Sequence, residues 1–406
     1  MNRNSLTGKI MKKLMSSVIL LSAISTSMIA SANDIKVGVI LGFTGPIESL
    51  TPDMAASAEL AFKEASNSGL LLGGRKIIPI RADSTCTDAA AATAAAERLI
   101  SSNGVVAILG ADCSGVTGAI ANNVAVPKGV IMISPSATSP GLSTIKDKGY
   151  FFRTAPSDAR QGEVLAKVLK RRNIENVAVT FTNNDYGKGL ANSFKTAFMA
   201  SGGTISITAA HEDGKADYSA EVGALSAAGS KYLAVFGYLD QGGKGIIQTS
   251  LDSDAFKHFI LADGMIGSSL IKSIGNDLTG AFGTVPGGKS KGATSYMTIA
   301  EKAGIKKDGP YVGESYDGGA LIALAMQAAK STKRSAIQSK IMMVANAPGE
   351  KIFPGEIAKG LKILKNGGDI DYVGATNVEF NDVGEVLGTF KEVEVKGGEF
   401  ETINIH

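Results

Sequence analysis

The chain lacks tryptophan altogether and has only two cysteines and three histidines in 406 residues. His211, His258 and His406 lie far apart in sequence. Nucleophile–histidine chemistry therefore has few candidate bases. Two cysteines and three scattered histidines also give no zinc-ligand spacing. Nucleotide fingerprints are missing as well. Gly38, Gly42 and Gly45 do not make G-x-G-x-x-G, and no G-x-x-x-x-G-K-[ST] loop occurs. No G-x-S-x-G elbow is present, and Gly313-Glu314-Ser315-Tyr316-Asp317-Gly318 misses it by one position. Acids such as Asp83, Asp240 and Asp317 could pair in space, but solvated loop acids are the commoner case. No cofactor and no metal are expected. The missing catalytic signatures point away from an enzyme and toward a binding protein.

Long apolar runs are absent beyond the first 32 residues. Within them, Lys12 and Lys13 precede an apolar stretch from Leu14 to Ile29, and Ala30-Ser31-Ala32 offers a small-x-small cleavage site. A spanning helix needs about 20 mostly apolar residues, and this stretch is shorter and rich in serine. It reads as a cleaved signal peptide, with Met11 an alternative start. No cysteine follows the stretch as a lipid-attachment site. An excess of charge is absent too. Residues 1–32 carry Arg3, Lys9, Lys12 and Lys13 of the 41 basic residues and none of the 38 acids. The remaining 374 residues hold 37 basic groups, so they are nearly neutral. That leaves no electrostatic footprint for nucleic acid or an anionic membrane. A chain of this length divides into two domains. Cys86 and Cys113 form a disulfide in an exported protein, or one of them is a reactive thiol.

What is present is regular alternation of strand and helix signals. Strands are predicted at 35–41, 77–82, 105–109 and 130–133, with helices at 53–68, 89–101 and 115–125 between them. Thr51-Pro52 offers a helix start. A second series follows Tyr150, with helices at 159–171, 188–200, 217–228 and 242–251. Its strands fall at 177–181, 204–208, 232–236 and 259–261. Such alternation implies parallel sheets covered by helices on both faces, here in two α/β lobes of similar design. Helices at 314–330 and 334–344 and a mixed region over 350–406 complete the chain. Pro286-Gly287-Gly288-Lys289 reads as a surface loop.

Two strand ends carry most of the functional signal. Val105 to Leu109 runs into Gly110-Ala111-Asp112-Cys113-Ser114, and Val130 to Ile133 runs into Ser134-Pro135-Ser136-Ala137-Thr138. Ligands of open α/β sheets bind beyond the carboxyl ends of such strands. Hydroxyls and backbone amides without a strong base beside them suit the holding of an anion.

The sequence resembles the leucine/isoleucine/valine-binding protein family, the periplasmic substrate-binding components of ABC importers. The resemblance runs from about Ile35 to Gly275 and weakens beyond. It rests on Ile35-Lys36-Val37-Gly38-Val39 with Thr44-Gly45-Pro46, on Asp83-Ser84-Thr85-Cys86 with Gly110 to Ser114, on Ile133 to Pro140, and on Asn184-Asp185-Tyr186-Gly187-Lys188-Gly189. The family fold implies two doubly wound lobes joined by three crossovers near 153, 265 and 387. One lobe would comprise 33–153 and 266–387, the other 154–265 and 388–406. The resemblance makes Cys86–Cys113 the family disulfide. It assigns Ser114 and Thr138 to the ligand carboxylate, with main-chain atoms from Ser136 and Ala137. Asp263 matches a glutamate that pairs with the ligand ammonium. Tyr186 and Tyr238 match aromatics that close over the ligand, with Tyr311 and Tyr316 as weaker candidates. Leu50 stands where the family has an aromatic, which puts branched-chain specificity in doubt.

The resemblance thus implies a monomeric periplasmic protein that captures an amino acid and delivers it to a membrane permease. Three other readings remain open. The same scaffold could hold an amide, urea or an aromatic acid. A secreted hydrolase would need a nucleophile–base pair in the cleft. A sensory domain would need a signalling segment to follow.

Overall fold

A computed structural model describes residues 34–406. The signal-peptide reading of 1–32 lies outside the described residues. The first series comprises β1 (Ile35–Leu41), α1 (Thr51–Asn67), β2 (Ile77–Asp83), α2 (Ala89–Ser101), β3 (Ala107–Gly110), α3 (Ser114–Ile120), β4 (Ile131–Ser134) and β5 (Phe151–Arg153). The second comprises α4 (Asp158–Arg171), β6 (Asn176–Thr182), α5 (Asp185–Ala200), β7 (Thr204–His211), α6 (Ser219–Ala227), β8 (Tyr232–Phe236), α7 (Gly242–Asp252), β9 (His258–Leu261), α8 (Ser268–Ile274) and β10 (Phe282–Pro286). The chain then forms α9 (Lys291–Lys302), α10 (Val312–Ala329), α11 (Arg334–Gln338), α12 (Ile341–Ala345), β11 (Glu350–Ile352), α13 (Ile357–Lys365), β12 (Ile370–Tyr372), β13 (Phe390–Lys396) and β14 (Glu399–Ile405).

The first sheet is parallel in the order β2-β1-β3-β4-β5. The second is ordered β14-β13-β10-β9-β8-β6-β7. Within it, β7-β6-β8-β9-β10 repeats the connectivity of the first sheet, strand for strand, and β13 and β14 add antiparallel to its edge. In each sheet the order reverses beside the first strand of the series. That reversal is the switch point, where loops at the carboxyl ends diverge and leave a crevice.

The repeat corrects one expectation. Residues 266–387 do not belong wholly to the first lobe, because β10 pairs with β9 and β13 in the second sheet. The reason is the repeated topology. The second series needs a fifth strand where the first has β5. The return to the first sheet's core therefore follows Pro286 instead of falling near 265. Tyr296 and Ala300 of α9 already belong to that core.

Apolar runs explain why the first sheet is buried on both faces. Ile108 and Met132 pack into one core with Leu99 of α2 and Ile120 of α3. Their neighbours Leu109, Ile131 and Ile133 face the opposite core, with Phe62 of α1 and Leu321 of α10. Helix α10 is buried along nearly its whole length because it is sandwiched between α1 and the sheet. Gly318 permits this approach, since a Cβ there would stand 2.6 Å from Leu109 Cδ1. The serine of the near-miss elbow, Ser315, is consequently a buried core residue on α10. Some boundaries differ from expectation. Thr51 does not cap α1; its hydroxyl donates to the Gly42 carbonyl at 3.0 Å, and Leu50 occupies the cap position without a side-chain bond. The helix expected at 334–344 is two short helices, α11 and α12.

Candidate functional site

The loops after β1, β3 and β4 face those after β6, β8 and β9, the equivalent loops of the two sheets. They close around a small pocket lined by Ile47, Leu50, Asp112, Cys113, Ser114, Ser136, Tyr186, Tyr238, Asp263, Gly264 and Tyr311. Nearly every residue proposed from sequence is therefore brought together. Ala137 and Thr138 are fully buried just behind the lining. Tyr316 is the exception. Its ring lies against Tyr296, and its hydroxyl bonds Glu64 instead of turning to the pocket. One helical turn and a half separates it from Tyr311, which stands before α10 at φ 61° and so projects the other way.

The first-sheet side is a nested set of loop bonds. The Asp112 carboxylate accepts from the Gly42 amide at 2.6 Å and from the Ser84 hydroxyl at 2.9 Å, tying the loops after β1, β2 and β3 together. The Cys86–Cys113 disulfide, with Cα atoms 5.1 Å apart, fastens the same loops. Ser114 Oγ accepts from the Ser139 amide at 3.1 Å. Ser136 Oγ donates to the Asp112 carbonyl at 3.2 Å, so its side chain holds the loop. The buried Thr138 hydroxyl has no hydrogen-bond partner. Replacing both cysteines by serine is expected to lower unfolding free energy by roughly 3–4 kcal/mol, the loop-closure value for such a crosslink. Denaturant melts of the oxidised, reduced and double-serine proteins check this, the last two being expected to coincide.

Asp263 dominates the other side. It is 2% exposed. One carboxylate oxygen accepts from the Tyr186 hydroxyl at 2.9 Å, and the other accepts from Tyr311. The Gly264 amide in turn donates to Tyr186 Oη at 3.2 Å. Glycine is required there, because a Cβ would stand 2.6 Å from the Gly237 carbonyl. Tyr186 stacks on Tyr238 with ring centroids 5.2 Å apart, and Asn184 Nδ2 donates to Tyr238 Oη at 3.4 Å. Burial pushes the Asp263 carboxyl up, opposed by the bonds from Tyr311, Tyr186 and Gln161. It pushes all three phenols up as well, so they are donors throughout the physiological range.

Two charged residues of the site were not recognised from sequence. Arg153, at the end of β5, is 1% exposed. Its guanidinium pairs with Glu385 and donates to the carbonyls of Ala137 at 3.2 Å and Ser139 at 2.9 Å. It also donates to Ser143 Oγ at 2.8 Å. It thereby holds the loop of Ser136 to Thr138 from behind. Asp158, at the first turn of α4, is fully buried beside Thr138 and Asp263. The run Arg153-Thr154-Ala155-Pro156-Ser157-Asp158, charges directly after an apolar strand and at a helix start, was the available signal.

Among the described residues no group of His, Cys, Asp and Glu is arranged to hold a metal. No described helix is long and apolar enough to cross a membrane.

The family model described as periplasmic binding protein matches residues 34–351. Leu/Ile/Val-binding protein homolog 3 of Brucella melitensis is 31% identical over 278 residues, covering 67% of this chain and 72% of that protein. The leucine-specific-binding protein of Salmonella typhimurium is 27% identical over 307 residues, covering 75% and 82%. Among solved structures, the leucine binding protein LivK of Thermotoga maritima superposes with a TM-score of 0.76 at 22% identity, over 91% of this chain and 98% of that one. LivJ of Streptococcus pneumoniae in complex with isoleucine gives 0.74 at 22% identity, over 92% and 99%. A solute binding protein of R. palustris in complex with 4-hydroxybenzoate gives 0.72 at 18% identity, over 92% and 97%. These structures share the two-sheet fold.

Proposed function

The chain belongs to the periplasmic binding protein family, and from that premise we propose that it captures an apolar amino acid, such as a branched-chain one, in the periplasm and presents it to an ABC permease. The observation that carries this reading is the pairing of opposites across the pocket. A buried carboxylate, Asp263, faces loops that offer hydroxyls and amides and no acid directed at a ligand anion. A desolvated ammonium requires a carboxylate or comparable acceptor. A carboxylate ligand group requires donors such as Thr138, Ser114 and the amides around them. A zwitterion meets both demands. An aromatic acid, carried by the R. palustris protein of the same fold, would leave Asp263 without a cation.

The first sheet with α1–α3 and α9–α13 serves as one lobe, and the second sheet with α4–α8 as the other. The crossings fall between β5 and α4, between β10 and α9, and just before β13. Tyr186, Tyr238 and Tyr311 enclose the ligand side chain. Leu50 and Ile47 supply an aliphatic wall, which favours Leu, Ile or Val over aromatic residues.

Closure rests on polar latches between the lobes. The Ser49 amide donates to Asp240 at 3.0 Å, the Asp240 amide donates to the Pro46 carbonyl at 3.1 Å, and the Ser49 and Ser269 hydroxyls share a hydrogen bond at 3.0 Å. A ligand that binds only the closed form gains affinity from each such bond. Asp240→Ala removes the acceptor of the Ser49 amide, a bond between the lobes worth about 1 kcal/mol. Affinity is expected to fall about fivefold through faster release, read by stopped-flow tyrosine fluorescence.

The reading is tested by thermal shift against amino acids, amides and aromatic acids. Binding to the native state raises the melting temperature in proportion to the logarithm of ligand over Kd. Stabilisation by aliphatic amino acids supports it; stabilisation by benzoates or amides alone contradicts it.

A further inference from the structure

Two buried carboxylates, Asp263 lining the pocket and Asp158 near enough to repel it, have among the described residues no cation free to serve them. Asp158 and Asp263 are 0% and 2% exposed. Asp263 is held by two phenols, whereas neither oxygen of Asp158 has a close hydrogen-bond partner and only the Thr138 hydroxyl lies near enough to ease its charge. The Thr138 hydroxyl has no other partner. The charged and titratable groups around the pair come from every adjoining element. Arg153 at the end of β5 is the nearest cation, and its donors go to Glu385, to Ser143 and to the Ala137 and Ser139 carbonyls. Tyr186 of α5, Tyr238 after β8 and Tyr311 before α10 are neutral phenols. The first turn of α4 favours a negative charge on Asp158, by at most a modest amount. The Thr138 hydroxyl beside Asp158 and Gln161 beside Asp263 offset the burial only in part, and two like charges in a buried site cannot both readily ionise.

We propose that Asp158 and Asp263 share one proton in the ligand-free site, and that the ligand's ammonium displaces it. The step is a simple exchange. The carboxylic O–H bond breaks, the proton leaves to solvent, and both carboxylates become anionic around the incoming cation. Burial and then repulsion from Asp263 push the Asp158 carboxyl well up, in keeping with this arrangement. A second carboxylate so placed makes positive charge on the ligand a condition of tight binding. A neutral amide or an aromatic acid cannot displace the proton and gains nothing from the pair. Asp158 is thus a specificity-determining residue that acts partly through Asp263. This inference rests on the amino-acid reading above.

The test is titration calorimetry of the full chain with the best-binding amino acid, in buffers of different ionisation heat at pH 7. About one proton is expected to leave per ligand bound, with affinity falling up to about tenfold per pH unit in acid. Asp158→Asn, which mimics the protonated acid in size, is expected to bind with little proton release and a flatter pH profile. If that variant fails to fold, the wild-type buffer dependence alone decides. Wild-type heats that do not change with buffer overturn the proposal, as does unchanged proton release in Asp158→Asn. A folded protein that binds none of the amino acids overturns the functional reading instead, and the inference with it.

Discussion

Asp263→Ala is expected to weaken amino-acid binding at least 100-fold while leaving the fold intact. Removing one partner of a buried, hydrogen-bonded charge pair costs about 2–5 kcal/mol, and the ~100-fold loss lies within that range. The carboxylate is the only acid lining the pocket apart from Asp112, whose oxygens are already engaged by Gly42 and Ser84. In the ligand-free protein, Asp263 is a desolvated acid held by neutral donors, chiefly Tyr311 and Tyr186, beside a second buried acid, Asp158. Its removal is therefore expected to leave stability unchanged or slightly raised, because isolated buried charge is unfavourable. Asp263→Asn separates charge from shape. It keeps an oxygen to accept from Tyr186 or Tyr311 but cannot neutralise an ammonium, and it should bind nearly as poorly as the alanine variant. Calorimetry paired with thermal melting checks both outcomes. Affinity within threefold of wild type in Asp263→Ala contradicts the ammonium assignment.

Arg153→Met is expected to show the largest loss of stability of any single change at the site. The substitution leaves Glu385 without its partner and the Ala137 and Ser139 carbonyls without donors. Breaking a buried ion pair from one side costs about 3–5 kcal/mol. Arg153→Lys should recover little of it. One ammonium cannot reach a carboxylate, two carbonyls and a hydroxyl that a guanidinium fork reaches together. Denaturant midpoints of the two variants provide the check, and a loss under about 1 kcal/mol for Arg153→Met would show the brace to be dispensable. Binding should weaken as well, since the loop carrying Thr138 loses its support.

The contrast between these two residues marks what the sequence reveals. Asp263 follows an apolar strand in a series whose alternation is plain, and the family resemblance points to it directly. The same alternation places Ser114, Ser136 and Thr138 at strand ends, and the sheets confirm those positions. Arg153 and Asp158 are harder to see. A charged pair flanking a proline and a helix start looks like solvated surface, and only the packing of the second series over it makes it interior. The strand β10 was hidden by its own ending. Pro286-Gly287-Gly288 punctuates the chain as a loop, and the pairing with β13, more than 100 residues away in sequence, leaves no local trace. Tyr311 and Tyr316 sit five positions apart and differ only in backbone setting. A left-handed residue ahead of α10 and a helical residue within it face opposite ways.

The central claim is that the pocket recognises a zwitterion through opposite charges on its two sides. It is tested most directly by titrating the best-binding amino acid beside its N-acetyl and α-amide derivatives. The acetyl group removes the positive charge opposite Asp263, and the amide removes the negative charge opposite Ser114 and Thr138. Both derivatives are expected to lose at least 100-fold in affinity, in line with the ~2–5 kcal/mol of a buried charge contact. Binding of the N-acetyl form as tight as that of the free amino acid would contradict the account.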